Sequence, residues 1–233
     1  MSAHTLRWRG GWARVAPWRH DAGVAYLTVS ADTPPSPSEI ERCVAALRTG
    51  DYHAVVTSAL SPAAAGPFVD AGFAVRERLH LLVHDLDGLP HSKSPTRRAR
   101  RSDRAAILTL DAHAFDGFWR LDDDALTDTV RATPATRVRV TTGQTAGRDV
   151  SGYAVTGHAG RRGYLQRVAV HPAARQRGFG RALVVDALRW LRRRASASAL
   201  VNTQLDNTAA LALYESCGFR RLPVGLCVLG RTL

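Results

Sequence analysis

Val168-Ala-Val-His-Pro-Ala-Ala-Arg-Gln-Arg-Gly-Phe-Gly-Arg181 reads as the end of a strand, a turn and the start of a helix. Pro172 stops the strand Val168–Val170, because it cannot extend a ladder of backbone hydrogen bonds. An arginine- and glycine-rich turn follows. From Gly178 to Arg194 the apolar residues Phe179, Leu183, Val184, Ala187, Leu188 and Leu191 recur at helical spacing. Arg192, Arg193 and Arg194 crowd the far end, where the helix dipole favours cations. At the near end, Arg175-x-x-Gly178-x-Gly180 sets unpaired backbone N–H groups at a positive terminus. Gly178 and Gly180 permit close approach of an anion, and Arg175, Arg177 and Arg181 add charge. The stretch is a ready site for a diphosphate.

Three phosphate-binding readings compete. A Walker loop requires Gly-Lys-Ser/Thr after its spacer, and that is absent. A dinucleotide fingerprint requires a third small residue, where Gly178-Phe-Gly180-Arg-Ala-Leu183 has leucine. The third reading takes in a second motif downstream: Asn207-x-x-Ala210-x-x-Leu213-Tyr214, closed by Gly218-Phe219. Together the two motifs resemble the GNAT N-acetyltransferase superfamily, over residues 95–233. That resemblance implies an α/β fold with a mixed, mostly antiparallel sheet flanked by helices.

It also implies roles. The turn Gln176–Arg181, with Arg175 before it, would hold the diphosphate of acetyl-CoA. The strand Val168, Ala169 and Val170 would lie along the pantetheine arm and offer backbone N–H to the acetyl carbonyl. Asn207 would contact the cofactor. Tyr214 would supply a proton to the departing thiolate as general acid. A primary amine, on a small molecule or a protein, would attack the thioester directly, with no covalent enzyme intermediate. Residue by residue, other readings stay open: Tyr214 on an apolar stripe packs the core, Asn207 caps a helix, and Arg175 is surface charge. The strand Gly163–Val170 carries no carboxylate to act as base; Gln166 could only orient a water, and Asp116 and His158 are candidates that spacing does not place. Phe115, Phe118 and Trp119 stand where the family builds its acceptor cleft.

Working outward, the 233 residues exceed one average domain, at roughly 150 residues each. Hydrophobic residues make 45% and charged residues 22%, the balance of a folded globular protein. Cys43, Cys217 and Cys227 are few and scattered, which reads as reduced thiols in a cytoplasmic protein. No apolar run is long enough to span a bilayer, and no Cys/His cluster suggests a metal. The net charge of +12 is uneven: residues 1–94 hold nine basic and nine acidic side chains, and residues 95–233 hold 23 and 11. That split places a boundary in the linker Gly88–Thr96, around Lys93, the single lysine. A nucleic-acid partner for the basic part ranks last, because no recognition helix or stacking pattern accompanies the charge.

The second part reads helix (Ser102–Ala112), helix (from Asp122–Asp124 to Pro134), strands Thr136–Thr142, Val150–Gly157 and Gly163–Val170, the long helix, strand Ala199–Thr203, helix Asn207–Cys217, and strands Phe219–Leu222 and Gly225–Leu229. The first part echoes its back half. Ala54–Leu60 lines up with Ala199–Leu205, and Phe68–Phe73 with Tyr214–Phe219. In that alignment Pro62 stands for Asn207 and Phe68 for Tyr214, and the Ser30–Ser38 loop replaces the arginine turn. Residues 1–94 are therefore expected to be a degenerate, non-catalytic GNAT-like half, and residues 95–233 the catalytic domain. A catalytically inactive CoA-binding regulatory protein is the competing reading. A homo-oligomer is compatible with either.

Overall fold

The computed structural model describes residues 4–8, 11–19, 21–31, 34–92, 94–143 and 150–233. Lys93 of the expected linker and Asp32 and Thr33 of the proline-rich loop lie outside them, as do the side chains of Ser30 and Ala31. The chain is a mixed α/β protein in two units: Met1–His80 with Pro223–Leu233, and Leu81–Leu222.

In the first unit, β1 (His4–Trp8), β2 (Gly11–Trp18) and β3 (Asp21–Ala31) form an antiparallel meander, and β4 (Ala54–Thr57) runs parallel to β3. Between β3 and β4, α1 (Pro37–Arg48) opens with a capping box. The Ser36 hydroxyl accepts from the Glu39 N–H, and the Glu39 carboxylate accepts from the Ser36 N–H at 2.8 Å. After β4, α2 (Pro62–Asp70) leads into β5 (Ala74–His84). The chain's final strand, Leu226–Thr232, pairs antiparallel with β4 and with β5. Its Cys227 and Leu229 are buried in the same core as Val15, Leu27, Val44, Val55, Phe68 and Phe73.

The second unit takes the end of β5 and adds β6 (Arg97–Arg98), α3 (Arg104–Ala114), α4 (Asp123–Arg131), β7 (Ala135–Thr142), β8 (Val150–Ala159), β9 (Arg162–Val170), α5 (Phe179–Arg193), β10 (Ser198–Gln204), α6 (Thr208–Ser216) and β11 (Arg220–Arg221). The strands lie in the order β5-β10-β9-β8-β7-β6, and β11 pairs with the end of β5. β6 to β9 are antiparallel neighbours, and β9 and β10 are parallel. Side-chain alternation along β9 divides the core in two. Leu165 and Val168 join Val184, Leu188, Leu191, Tyr214 and Phe219 on the α5–α6 side. Ala169 joins Ile107, Leu110, Leu126, Val140, Tyr153 and Val155 on the α3–α4 side. A Cβ on Gly163 would stand 2.4 Å from Leu191 Cδ1, so only glycine lets α5 press this closely on β9.

The expected elements of this unit appear within a few residues of their sequence limits. One local register is corrected: the repeat alignment matched Pro62 with Asn207, but Ser61 and Asn207 are the equivalent N-caps, accepting from the Ala64 and Ala210 N–H groups. The missing residue of the first copy therefore lies before α2, between Leu60 and Ser61, and not within it. Cys43, Cys217 and Cys227 are free thiols, and burial pushes all three above their ordinary range, where they act as small apolar side chains. Among the described residues no helix is long and apolar enough to cross a membrane.

Candidate active site

The turn after β9 has the backbone that its glycines foretold. Gly178 is the N-cap of α5 at φ 80°, a left-handed conformation, and no side chain caps the helix. Gln176 also takes positive φ, at 61°, a strain that only a constrained turn sustains. The first intrahelical bond is from the Ala182 N–H to the Gly178 carbonyl. The N–H groups of Phe179, Gly180 and Arg181 thus have no acceptor within the helix. Arg175 and Arg177 are exposed on the turn.

Two expected contributors work differently from the sequence reading. The Arg181 guanidinium is held by the His91 carbonyl at 3.1 Å and the Ser216 carbonyl at 3.0 Å. Its side chain ties α5 to the last carbonyl of α6, leaving its backbone N–H for an anion. A Cβ on Gly180 would meet Leu213 Cδ2 at 3.0 Å and Val170 Cγ2 at 3.7 Å. Glycine there serves the packing of α6 as much as the approach of a ligand.

Beside this turn the sheet opens. β9 and β10 pair at Ser198↔Arg162, Ala199↔Gly163 and Leu200↔Tyr164, and the ladder ends there. β9 runs on to Val170 and β10 to Gln204 without pairing. A bulge marks the parting point: Thr156 faces Leu165 and Val155 faces Arg167, so Gln166 is the extra residue. The His171 N–H donates to the Ser151 carbonyl at 2.9 Å. Alternation then turns Ala169 toward β8 and points the N–H and C=O of Val168 and Val170 away from it, into the opening. The first unit has the same β–α–β arrangement without the gap. There β3 and β4 pair from Val24↔Ala54 to Leu27↔Thr57, the Ser58 N–H adds a bond to the Leu27 carbonyl, and the Ser58 hydroxyl accepts from the Val29 N–H.

Tyr214 lies on the α5–α6 side of β9, 6% exposed, its ring 5.7 Å from that of Phe219. Burial pushes its phenol far above the ordinary range, and the charge of Arg167 acts weakly against it. The hydroxyl therefore keeps its proton at neutral pH, the state required of a donor. Asn207 caps α6 through its Oδ1, at 3.1 Å from the Ala210 N, which leaves its amide NH₂ to another partner.

The largest feature that the sequence reading missed is a carboxylate below β9. Asp111 of α3 is fully buried and accepts four hydrogen bonds. Oδ1 takes the Leu121 N–H at 2.7 Å and Arg167 Nη2 at 2.9 Å; Oδ2 takes Arg167 Nε at 2.8 Å and the Tyr153 hydroxyl at 2.5 Å. Arg167 also donates to the Trp119 carbonyl at 2.8 Å, and its Cζ lies 3.4 Å from the centre of the Phe115 ring. The signal was present: a carboxylate in step with Ile107 and Leu110 on the buried stripe of a helix requires a buried cation. With every lone pair engaged, Asp111 has none left for an amine proton. Of the other base candidates, His158 pairs with Gly163, about 16 Å of strand from Val168. Asp116 is exposed and accepts from the Trp119 N–H in the loop after α3.

The sequence and the fold of the chain have relatives among known proteins. Residues 103–219 match the family model of the acetyltransferase (GNAT) family. The mycothiol acetyltransferase of Rhodococcus erythropolis is 41% identical over 64 residues, 28% of this chain and 21% of that protein. The chain thus spans about a fifth of the length of the curated relatives it matches. Among solved structures, a GCN5-related N-acetyltransferase from Kribbella flavida superposes with a TM-score of 0.67 at 14% identity, covering 98% of this chain and 89% of that one. A tandem GNAT protein from the clavulanic acid biosynthesis pathway gives 0.67 at 13% identity, covering 96% and 79%. The family model takes in half of the chain and all of the elements that build the site, and the protein belongs to the acetyltransferase (GNAT) family.

Proposed function

We propose that the second unit is an N-acetyltransferase that passes the acetyl group of acetyl-CoA directly to a primary amine. The observation that carries this reading is the gap between β9 and β10, which starts at Tyr164 and leads to the uncapped start of α5. Acetyl-CoA, when bound, supplies an activated acyl group as a thioester. The residues present suit it. The N–H groups of Phe179, Gly180 and Arg181, with Arg175 and Arg177 on the turn, hold a diphosphate. The N–H groups of Val168 and Val170 are free donors in the gap and stabilise negative charge on an acyl oxygen. The NH₂ group of Asn207 reaches a carbonyl of the pantetheine arm. Tyr214 keeps its phenolic proton and gives it to a departing thiolate. The first unit, whose ladder is closed by Ser58, is the non-catalytic half.

A second reading, a CoA-binding protein without turnover, is favoured by one observation: Asp111, the carboxylate buried beneath β9, is saturated. Two experiments separate the readings. Calorimetry with acetyl-CoA on wild type and Arg177→Glu tests the turn, and the charge reversal should weaken binding by about tenfold or more. Thiol release with a panel of phenethylamine, spermidine, glucosamine and an alanine-initiated peptide tests turnover, and Tyr214→Phe should lower kcat by about a hundredfold. Binding without turnover would establish the second reading, and the absence of binding would remove both.

A further inference from the structure

We propose that Arg167 is the positioning residue of the acceptor side of the site. This rests on the acetyltransferase reading. Arg167 immediately precedes Val168, whose backbone faces the gap, and strand alternation sets the two side chains on opposite faces of β9. Val168 packs toward α5 and α6, the helices of the cofactor side. Arg167 points to the α3–α4 side, which carries Phe115, Phe118 and Trp119 and which we read as the acceptor side. There it holds the loop Phe115–Leu121 by both ends and the middle: the Phe115 ring under the guanidinium plane, the Trp119 carbonyl on Nη2, and the Leu121 N–H through Asp111. The fixed fork of an arginine suits this task, because it serves a carboxylate in two directions and still presents a flat face to an aromatic ring. Asp111 neutralises the charge, so an ammonium approaching the loop meets no net repulsion from it. Phe115, Phe118 and Trp119 are half-buried in that loop. Their placement relative to Val168 depends on this side chain.

The test separates positioning from folding. Arg167→Met alone leaves a buried carboxylate uncompensated and destabilises the unit. The double variant Asp111→Leu with Arg167→Met removes both charges and leaves the Tyr153 hydroxyl and the Leu121 N–H without their acceptor, a smaller loss than an unpaired buried charge. The expected result is that both variants raise KM at least tenfold for the panel amine that wild type turns over, while acetyl-CoA affinity stays within twofold. The double variant should recover part of the melting temperature that Arg167→Met loses yet keep the raised KM, and Arg167→Lys should fall between. A KM restored together with the melting temperature would overturn the proposal. Amide hydrogen exchange in Phe115–Leu121 gives a readout independent of the amine. It should accelerate at least tenfold in the double variant, and unchanged exchange would overturn the proposal even if no panel amine reacts. Failure of wild type to bind acetyl-CoA would instead refute the enzyme reading, with the exchange still deciding the role of Arg167.

Discussion

Asp111→Asn is the substitution from which the structure predicts most. It changes no volume and one charge. In wild type the carboxylate satisfies two Arg167 donors, the Tyr153 hydroxyl and the Leu121 N–H. The amide keeps one oxygen and replaces the other by an NH₂ that meets donors. The Arg167 guanidinium, 10% exposed, is left without its counter-charge. Breaking a buried pair by removing one partner costs about 3–5 kcal/mol. For a chain of this size each kcal/mol moves the melting temperature by about 2–4 °C, so the drop is on the order of 10 °C. Tyr153→Phe removes one of the four bonds and should cost about 1.5 kcal/mol. Combined with Asp111→Asn it should cost less than the sum, since both act on the same oxygen. Differential scanning calorimetry of the three variants reads these values directly. An Asp111→Asn protein melting within 2 °C of wild type would mean that the pair is not desolvated as described, and the argument for its structural weight would fail.

Three further outcomes are expected. Burial holds the His84 imidazole below its ordinary range, with Asp85, a hydrogen bond to the Cys217 backbone and Asp87 opposing. Because the folded value is lowered, the stability it contributes is complete above about pH 6.5 and declines as the pH falls through the folded value. Urea midpoints measured between pH 7.5 and 5.5 should therefore fall less for His84→Gln than for wild type, and equal slopes would contradict this. Asn207→Ser retains a cap oxygen and should melt like wild type while binding acetyl-CoA about fivefold more weakly; Asn207→Ala should lose about 1 kcal/mol of stability as well. Gly163→Ala should cost about 1–3 kcal/mol through its clash with Leu191, and a smaller residue at 191 should recover part of that loss.

What the sequence made legible was what is local. The uncapped start of α5, the Asn207 cap and the closing Gly218 each follow from a few adjacent residues, and each is found where its chemistry put it. The gap between β9 and β10 was not legible, because where a parallel ladder ends is a matter of register between strands far apart in the chain, and the odd spacing of Leu165 and Val168 alone does not say which neighbour parts. The side chain of Arg181 looked like one more cation on an anion site; only the proximity of Ser216 and His91, far away in the chain, gives it another partner. Asp111 and Arg167 lie 56 positions apart: the buried stripe of α3 tells that Asp111 needs a cation, but nothing local says that Arg167 is the one.

The strand Leu226–Thr232, here β12, follows every other element in the chain, yet Cys227 and Leu229 complete the apolar interior of the first unit. During synthesis, β1 to β5 must therefore wait for a strand made only after the second unit. Until residues beyond Pro223 emerge, β4 and β5 each expose an unpaired margin, a period in which chaperones and rival strands have access.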